Sequence, residues 1–212
     1  MRREWSLWVR TPVCLILSAS DCLICLGIII QKGELYLRLE STSVLLILFT
    51  GLLAGIIFGR EHDTGALKIR LLIEKKSQFY AHKLRLLYIH AAFLSLWCAA
   101  CSAFSYPRPD LSAAAFTCVS LFLCLHCYIL LSMLITELFH SSTAGAAFLM
   151  LLFFLENRLC LQWLPQNLFF CILEKTLYYA QPGVLPWIEM TKLAGYGVLL
   201  LLISRSAAIS GQ

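Results

Sequence analysis

The interval Gly59-Arg60-Glu61-His62-Asp63-Thr64-Gly65-Ala66-Leu67-Lys68-Ile69-Arg70-Leu71-Leu72-Ile73-Glu74-Lys75-Lys76-Ser77-Gln78-Phe79-Tyr80-Ala81-His82-Lys83-Leu84-Arg85 is the longest charged stretch in an otherwise oily chain. It holds seven of the 17 Lys and Arg residues: Arg60, Lys68, Arg70, Lys75, Lys76, Lys83 and Arg85. Apolar runs that approach the length of a bilayer crossing lie directly before and after it, so it reads as a joint between two membrane helices. Lys and Arg collect on the cytoplasmic side of membrane proteins, which places the joint there. It is long enough to fold into a helix for another protein to grip.

The composition agrees with a membrane setting. Sixty per cent of the residues are apolar and 14% charged, where about 25% charged is usual for a soluble domain. Mean hydropathy is +0.80. The apolar runs are unbroken rather than alternating, which argues against an outer-membrane barrel and predicts an all-α polytopic membrane protein. Its 212 residues form a single membrane domain. No basic cluster is interleaved with exposed aromatic residues outside the membrane frame, so no nucleic-acid partner is expected. The bilayer itself is the first partner.

Working outward, spans are expected at roughly 12–30, 42–58, 86–105, 112–136, 143–164 and 187–205. The second is short at its apolar core, and in the sixth Lys192 must reach outward past a short apolar centre. Residues 1–11 mix Arg2, Arg3 and Arg10 with Trp5, Leu7 and Trp8, a pattern suited to an amphipathic helix lying on the membrane surface. Pro12 then suits a helix start. The first apolar run outlasts a signal-peptide core and has no clear small-x-small cleavage site, so it is expected to be retained. The segment 165–186 is aromatic and broken by Pro165, Pro182 and Pro186, which points to short helices dipping into the outer face. With the N-terminus inside, the inner segments carry eleven Lys and Arg and the outer ones six. Both termini are therefore expected in the cytoplasm.

Few residues inside the spans carry chemistry. Asp21 lies in the middle of the first, where a carboxylate costs about 2.5–3.5 kcal/mol on insertion scales. It either lines a translocation path, with Ser18 and Ser20 nearby, or serves as a hydrogen-bonded structural group. His126 in the fourth span is a second candidate for that path, against the alternatives of a haem or metal ligand and, favoured over that, a hydrogen-bonded helix-interface histidine. His90 is expected at the membrane interface, and Glu137 either contacts the joint or a partner, or is simply solvated. Three C-x-x-C pairs (22/25, 98/101, 124/127) fall within spans, where Cys behaves as a small apolar residue. No metal site is read from them, because structural zinc requires four ligands in a compact site. Cys160 and Cys171 flank the outer segment and could pair on an oxidising side. Neither H-E-x-x-H nor G-x-S-x-G occurs, so no catalytic residues are assigned. The absence of G-x-x-x-x-G-K-[ST] leaves any ATP hydrolysis to another chain.

Phe58-Gly59-Arg60-Glu61-His62-Asp63-Thr64-Gly65-Ala66-Leu67, followed by Leu71-Leu72 and Lys83, resembles the ABC-2 type permeases of ABC transporters. These carry an aromatic residue, an acidic residue, Gly-Thr-Leu, a Leu-Leu pair and a Lys opening the third span. Glu61, Gly65, Leu67, Leu71, Leu72 and Lys83 match in type and spacing. Glu4 with Arg10-Thr11-Pro12 also looks like the family's amphipathic entry helix. Ala66 departs from the usual Thr, and Glu74-Lys75-Lys76 replaces a stretch of small residues and Pro.

The resemblance implies a six-span permease fold in which 59–85 is the coupling segment, docked on an ABC ATPase subunit. It also implies a second permease copy or a paralogue, ATP and Mg bound only in the partner ATPase, and no cofactor in this chain. The chain would be an exporter subunit in a bacterial-type inner or plasma membrane, or in an organelle of bacterial origin. The length suits the haem-exporter B branch of cytochrome c maturation, though no residue selects it. Two other classes stay open: a non-transporting scaffold subunit that docks a partner through 59–85, and an intramembrane enzyme using Asp21 and His126.

Overall fold

The computed structural model describes residues 12–30, 35–73, 75–105, 111–159 and 187–209. The expected surface helix at 1–11, the dipping segment at 165–186 and the Cys160–Cys171 pair lie outside the described residues. Within them the chain is all-helical: α1 (Pro12–Ile30), α2 (Leu35–Asp63), α3 (Ala66–Ile73), α4 (Lys76–Ser105), α5 (Leu111–Phe139), α6 (Ser142–Leu159) and α7 (Trp187–Ile209).

Four of these helices are long and apolar enough to cross a bilayer, over Pro12–Ile30, Ser41–Asp63, Lys76–Phe104 and Ala114–Phe139. The described apolar parts of α6 and α7, Ser142–Leu151 and Met190–Ser204, are shorter. The first span matches its expected range, while α2 and α4 overrun theirs toward the joint. Only the eight residues of α3 remain as a separate helix between them. The charged residues at 60–63 and 76–85 are therefore the ends of two long helices. Helical geometry persists there because side-chain pairs satisfy the charges without unwinding the backbone.

The ends have local causes. Pro12 opens α1, where a missing N–H costs nothing. Gly65 takes the left-handed conformation at φ 66° and its N–H reaches the His62 carbonyl at 3.1 Å, which closes α2. His140 at φ 51° turns the chain from α5 to α6. Asp63 then caps α6 from a distance: its carboxylate accepts hydrogen bonds from the Ser142 N–H (3.1 Å) and hydroxyl.

Helix α5 occupies the centre, packed by α2, α4, α6 and α7, with α1 lying against α2 and α4. Leu121, Cys124, Leu125, Tyr128 and Ile129 are fully buried there. Gly51, Gly55 and Gly59 recur every fourth residue along α2, so they share one face, and that face meets α6. A Cβ on Gly59 would fall 2.4 Å from the Ser142 Cα, and one on Gly55 would fall 3.7 Å from the Ala146 backbone nitrogen. The side chain of Leu149 fills the space beside Gly51. Ser132 of α5 also donates to the Gly51 carbonyl at 3.2 Å, joining three helices at one level.

Gly59→Ala forces the α6 backbone to move and is expected to cost about 1–3 kcal/mol. Gly195→Ala meets open space and is expected to be neutral or to gain about 0.5–1 kcal/mol. Unfolding midpoints of the two variants in detergent check the contrast.

Candidate functional site: an ionic latch where four helices end

Three consecutive residues at the end of α2 each engage a different helix. Successive helical side chains are turned by about 100°, so Glu61, His62 and Asp63 fan out toward α4, α5 and α6. Glu61 pairs with Lys83 of α4, and His62 lies 3.2 Å from Glu137 of α5. Asp63 takes the start of α6, as described above.

The Glu61–Lys83 pair is the most enclosed part. The Lys83 side chain is 1% exposed and that of Glu61 9%. The ammonium donates to the Glu61 carboxylate and to the Ile57 carbonyl, the latter at 2.5 Å. Ile57 precedes Glu61 by four residues, so both acceptors lie on one face of α2. The ring of Phe79 sits 4.3 Å from the same ammonium, one turn before it on α4, adding a cation–π contact. The Phe58 ring of α2 lies 6.0 Å from the ammonium and packs in turn on Tyr80, with centroids 6.1 Å apart. Isolated burial of such a charge would cost several kcal/mol; here a carboxylate, a carbonyl and an aromatic face offset it.

Around this core runs a wetter ring. Glu137 holds His62 through one oxygen and Lys76 through the other, the latter at 3.3 Å. The rings of His62 and His140 lie 5.1 Å apart. The first residues of α4 and the last of α2 and α5 are thus tied together, and α3 projects from the tie. Leu67 of α3 packs on the bundle core, Leu71 is half-buried, and Leu72 is 87% exposed.

Of the six residues expected to dock a partner, Glu61 and Lys83 therefore face inward and bind each other. Gly65 shapes the turn, Leu67 anchors α3, and Leu72 stands open to the surroundings. Glu137 does contact the joint. His62 and Asp63, quoted in the motif without a role, supply two of the three ties.

The membrane-embedded candidates separate. Asp21 is fully buried and lies 3.2 Å from His90 of α4, so His90 is an inter-helix partner rather than an interfacial residue. The other Asp21 oxygen and the Ser18 hydroxyl have no hydrogen-bond partner among the described residues. His126 belongs to another contact: its ring lies 5.1 Å from that of Tyr88, and a Cβ on Gly197 of α7 would fall 2.7 Å from it. Asp21 and His126 thus engage different neighbours. Among the described residues no group of three or more His, Cys, Asp and Glu is placed to hold a metal ion. The cysteines among the described residues are thiols rather than disulfides.

Lys83→Met leaves Glu61 buried without its counter-charge and is expected to cost about 3–5 kcal/mol. The double variant Glu61→Gln, Lys83→Met is expected to recover most of that loss. A double-mutant cycle on unfolding in detergent measures the coupling; additive losses would show that the two residues act separately.

Comparison with protein-family models, curated proteins and solved structures finds no match to this chain.

Proposed function

We propose that the chain is the membrane-spanning permease subunit of an ABC-2 type exporter, with ATP hydrolysis supplied by a separate ATPase subunit. The observation that carries this reading is the short helix α3, held between the ends of α2 and α4 by Gly65 and the Glu61–Lys83 pair, with Leu72 presented outward. An exposed leucine on an eight-residue helix, within an interval of the sequence that holds seven basic residues, favours a cytoplasmic protein partner. In this account α6 and α7 complete a six-span unit with both termini inside. A second copy or a paralogue supplies the other half of the path.

The mechanism follows from stiffness. A partner that moves α3 moves the ends of α2 and α4 together, because a buried ion pair resists separation. Motion of α2 passes to α6 through the close glycine contact and to α5 through His62 and Glu137. A displacement at α3 thereby reaches the centre of the bundle. Asp21 and His90 lie on α1 and α4, which places a polar pair where that motion arrives and favours a role along the path. The substrate class is left open by these residues.

Leu72→Asp is expected to abolish co-purification with the ATPase while leaving the unfolding midpoint unchanged. Gly65→Pro, at a φ that proline cannot adopt, is expected to keep the complex assembled but uncouple ATP hydrolysis from transport. A chain that never associates with an ATPase would refute the proposal. Association without any substrate-stimulated hydrolysis would favour the scaffold reading instead.

A further inference from the structure

Asp21 is the one Asp, Glu, Lys or Arg of α1, and it is completely buried. One of its carboxyl oxygens lies 3.2 Å from His90 Nε2 of α4, and the other has no hydrogen-bond partner among the described residues. The hydroxyl of Ser18, one turn earlier on α1, has none there either.

The surroundings hold little to balance a negative charge. Helix α1 packs on α2 and α4. From Ser41 to Gly59, α2 carries no titratable side chain. Arg38 and Arg60, toward the two ends of α2, lie by Ile28 and Cys14. Each of those is seven positions from Asp21, a rise of about 10 Å. On α4, Lys83 is bound in the latch and Arg85 is exposed. Beyond His90, α4 has only Cys98 and Cys101 as titratable groups, and α1 itself adds Cys14, Cys22 and Cys25.

The latch shows what a buried ion needs: Lys83 has a carboxylate, a carbonyl and an aromatic face. Asp21 has one imidazole. A carboxylate oxygen left without a donor costs more than the carbonyl oxygen of a neutral acid. The acid also supplies an O–H for the imidazole nitrogen to accept.

We infer that Asp21 is a proton-binding site: its carboxyl is held as the neutral acid and donates its hydrogen to His90 Nε2. His90 then takes the tautomer with hydrogen on Nδ1. Parting α4 from α1 would remove the acceptor, so the bound proton is sensitive to the motion proposed to reach this pair. The site requires α1 and α4 to cross the bilayer, as proposed above, but no ATPase partner.

Infrared spectroscopy of the full chain in lipid vesicles tests this, because the carbonyl stretch of a protonated carboxyl stands apart from carboxylate bands. At pH 7 a solvated Asp is ionised about a thousandfold over its acid form. Wild type minus Asp21→Asn is nevertheless expected to show the acid band at that pH. Carbon-13 at the aspartate carboxyl marks only Asp21, Asp63 and Asp110, and it is expected to shift the same band if Asp21→Asn does not fold. His90→Gln is expected to keep the acid band but move it, since a weaker acceptor replaces the imidazole; an acid that does not bond His90 would give an unmoved band. Absence of the band at pH 7, a band that Asp21→Asn leaves in place, or one that His90→Gln leaves unmoved would overturn the assignment. Co-purification with an ATPase is a separate measurement, so either reading can fail alone.

Discussion

The rest of the structure depends on keeping Lys83 charged inside a bundle of apolar helices. An ammonium in that setting requires a carboxylate, and Glu61 can supply it only if α2 continues as a helix beyond its apolar part. That extension places His62 and Asp63 where they meet Glu137 and Ser142. One buried cation thus accounts for the length of α2, the position of α4 and the entry of α6. Such pairs add less to stability than their Coulomb energy suggests, because both ions lose water. Their larger effect is on register: two helices that share a buried ion pair cannot slide past each other without exposing it.

The glycine face of α2 performs a second task. In a bilayer there is little hydrophobic gain from packing one apolar helix on another, so close backbone approach and polar contacts decide which helices associate. Gly51, Gly55 and Gly59 allow that approach to α6, and Ser132 adds a hydrogen bond from α5 at the same level. The latch and the glycine face meet at Gly59, two residues before Glu61. The latch end of α2 is therefore held both by charge and by shape.

Much of this was legible in the chain. Composition and unbroken apolar runs indicate helices in a membrane, and Pro12 marks the start of the first one correctly. The motif around Glu61, Gly65 and Lys83 points to the region where the helices converge. What it conceals is direction. Glu61 and Lys83 lie twenty-two positions apart, and only the folded arrangement turns them inward to one another. A similar limit applies to His90: its place near a predicted helix end suggests the interface, whereas α4 begins ten residues earlier than its apolar core, at Lys76, which carries His90 to the level of Asp21. The four-residue spacing of Gly51, Gly55 and Gly59 was a readable packing signal that composition alone obscures. Asp21 and His126 are both titratable groups within spans, yet no local pattern specifies which neighbours they meet.

The central claim is that α3 stands on the cytoplasmic side as a contact point held by the latch. Labelling of a Leu72→Cys variant with a membrane-impermeant maleimide, read against the background of the natural cysteines, tests it most directly. The account predicts labelling in inside-out but not right-side-out vesicles, and protection once the ATPase is bound. Labelling from the outer side, or labelling that the ATPase does not affect, would contradict it.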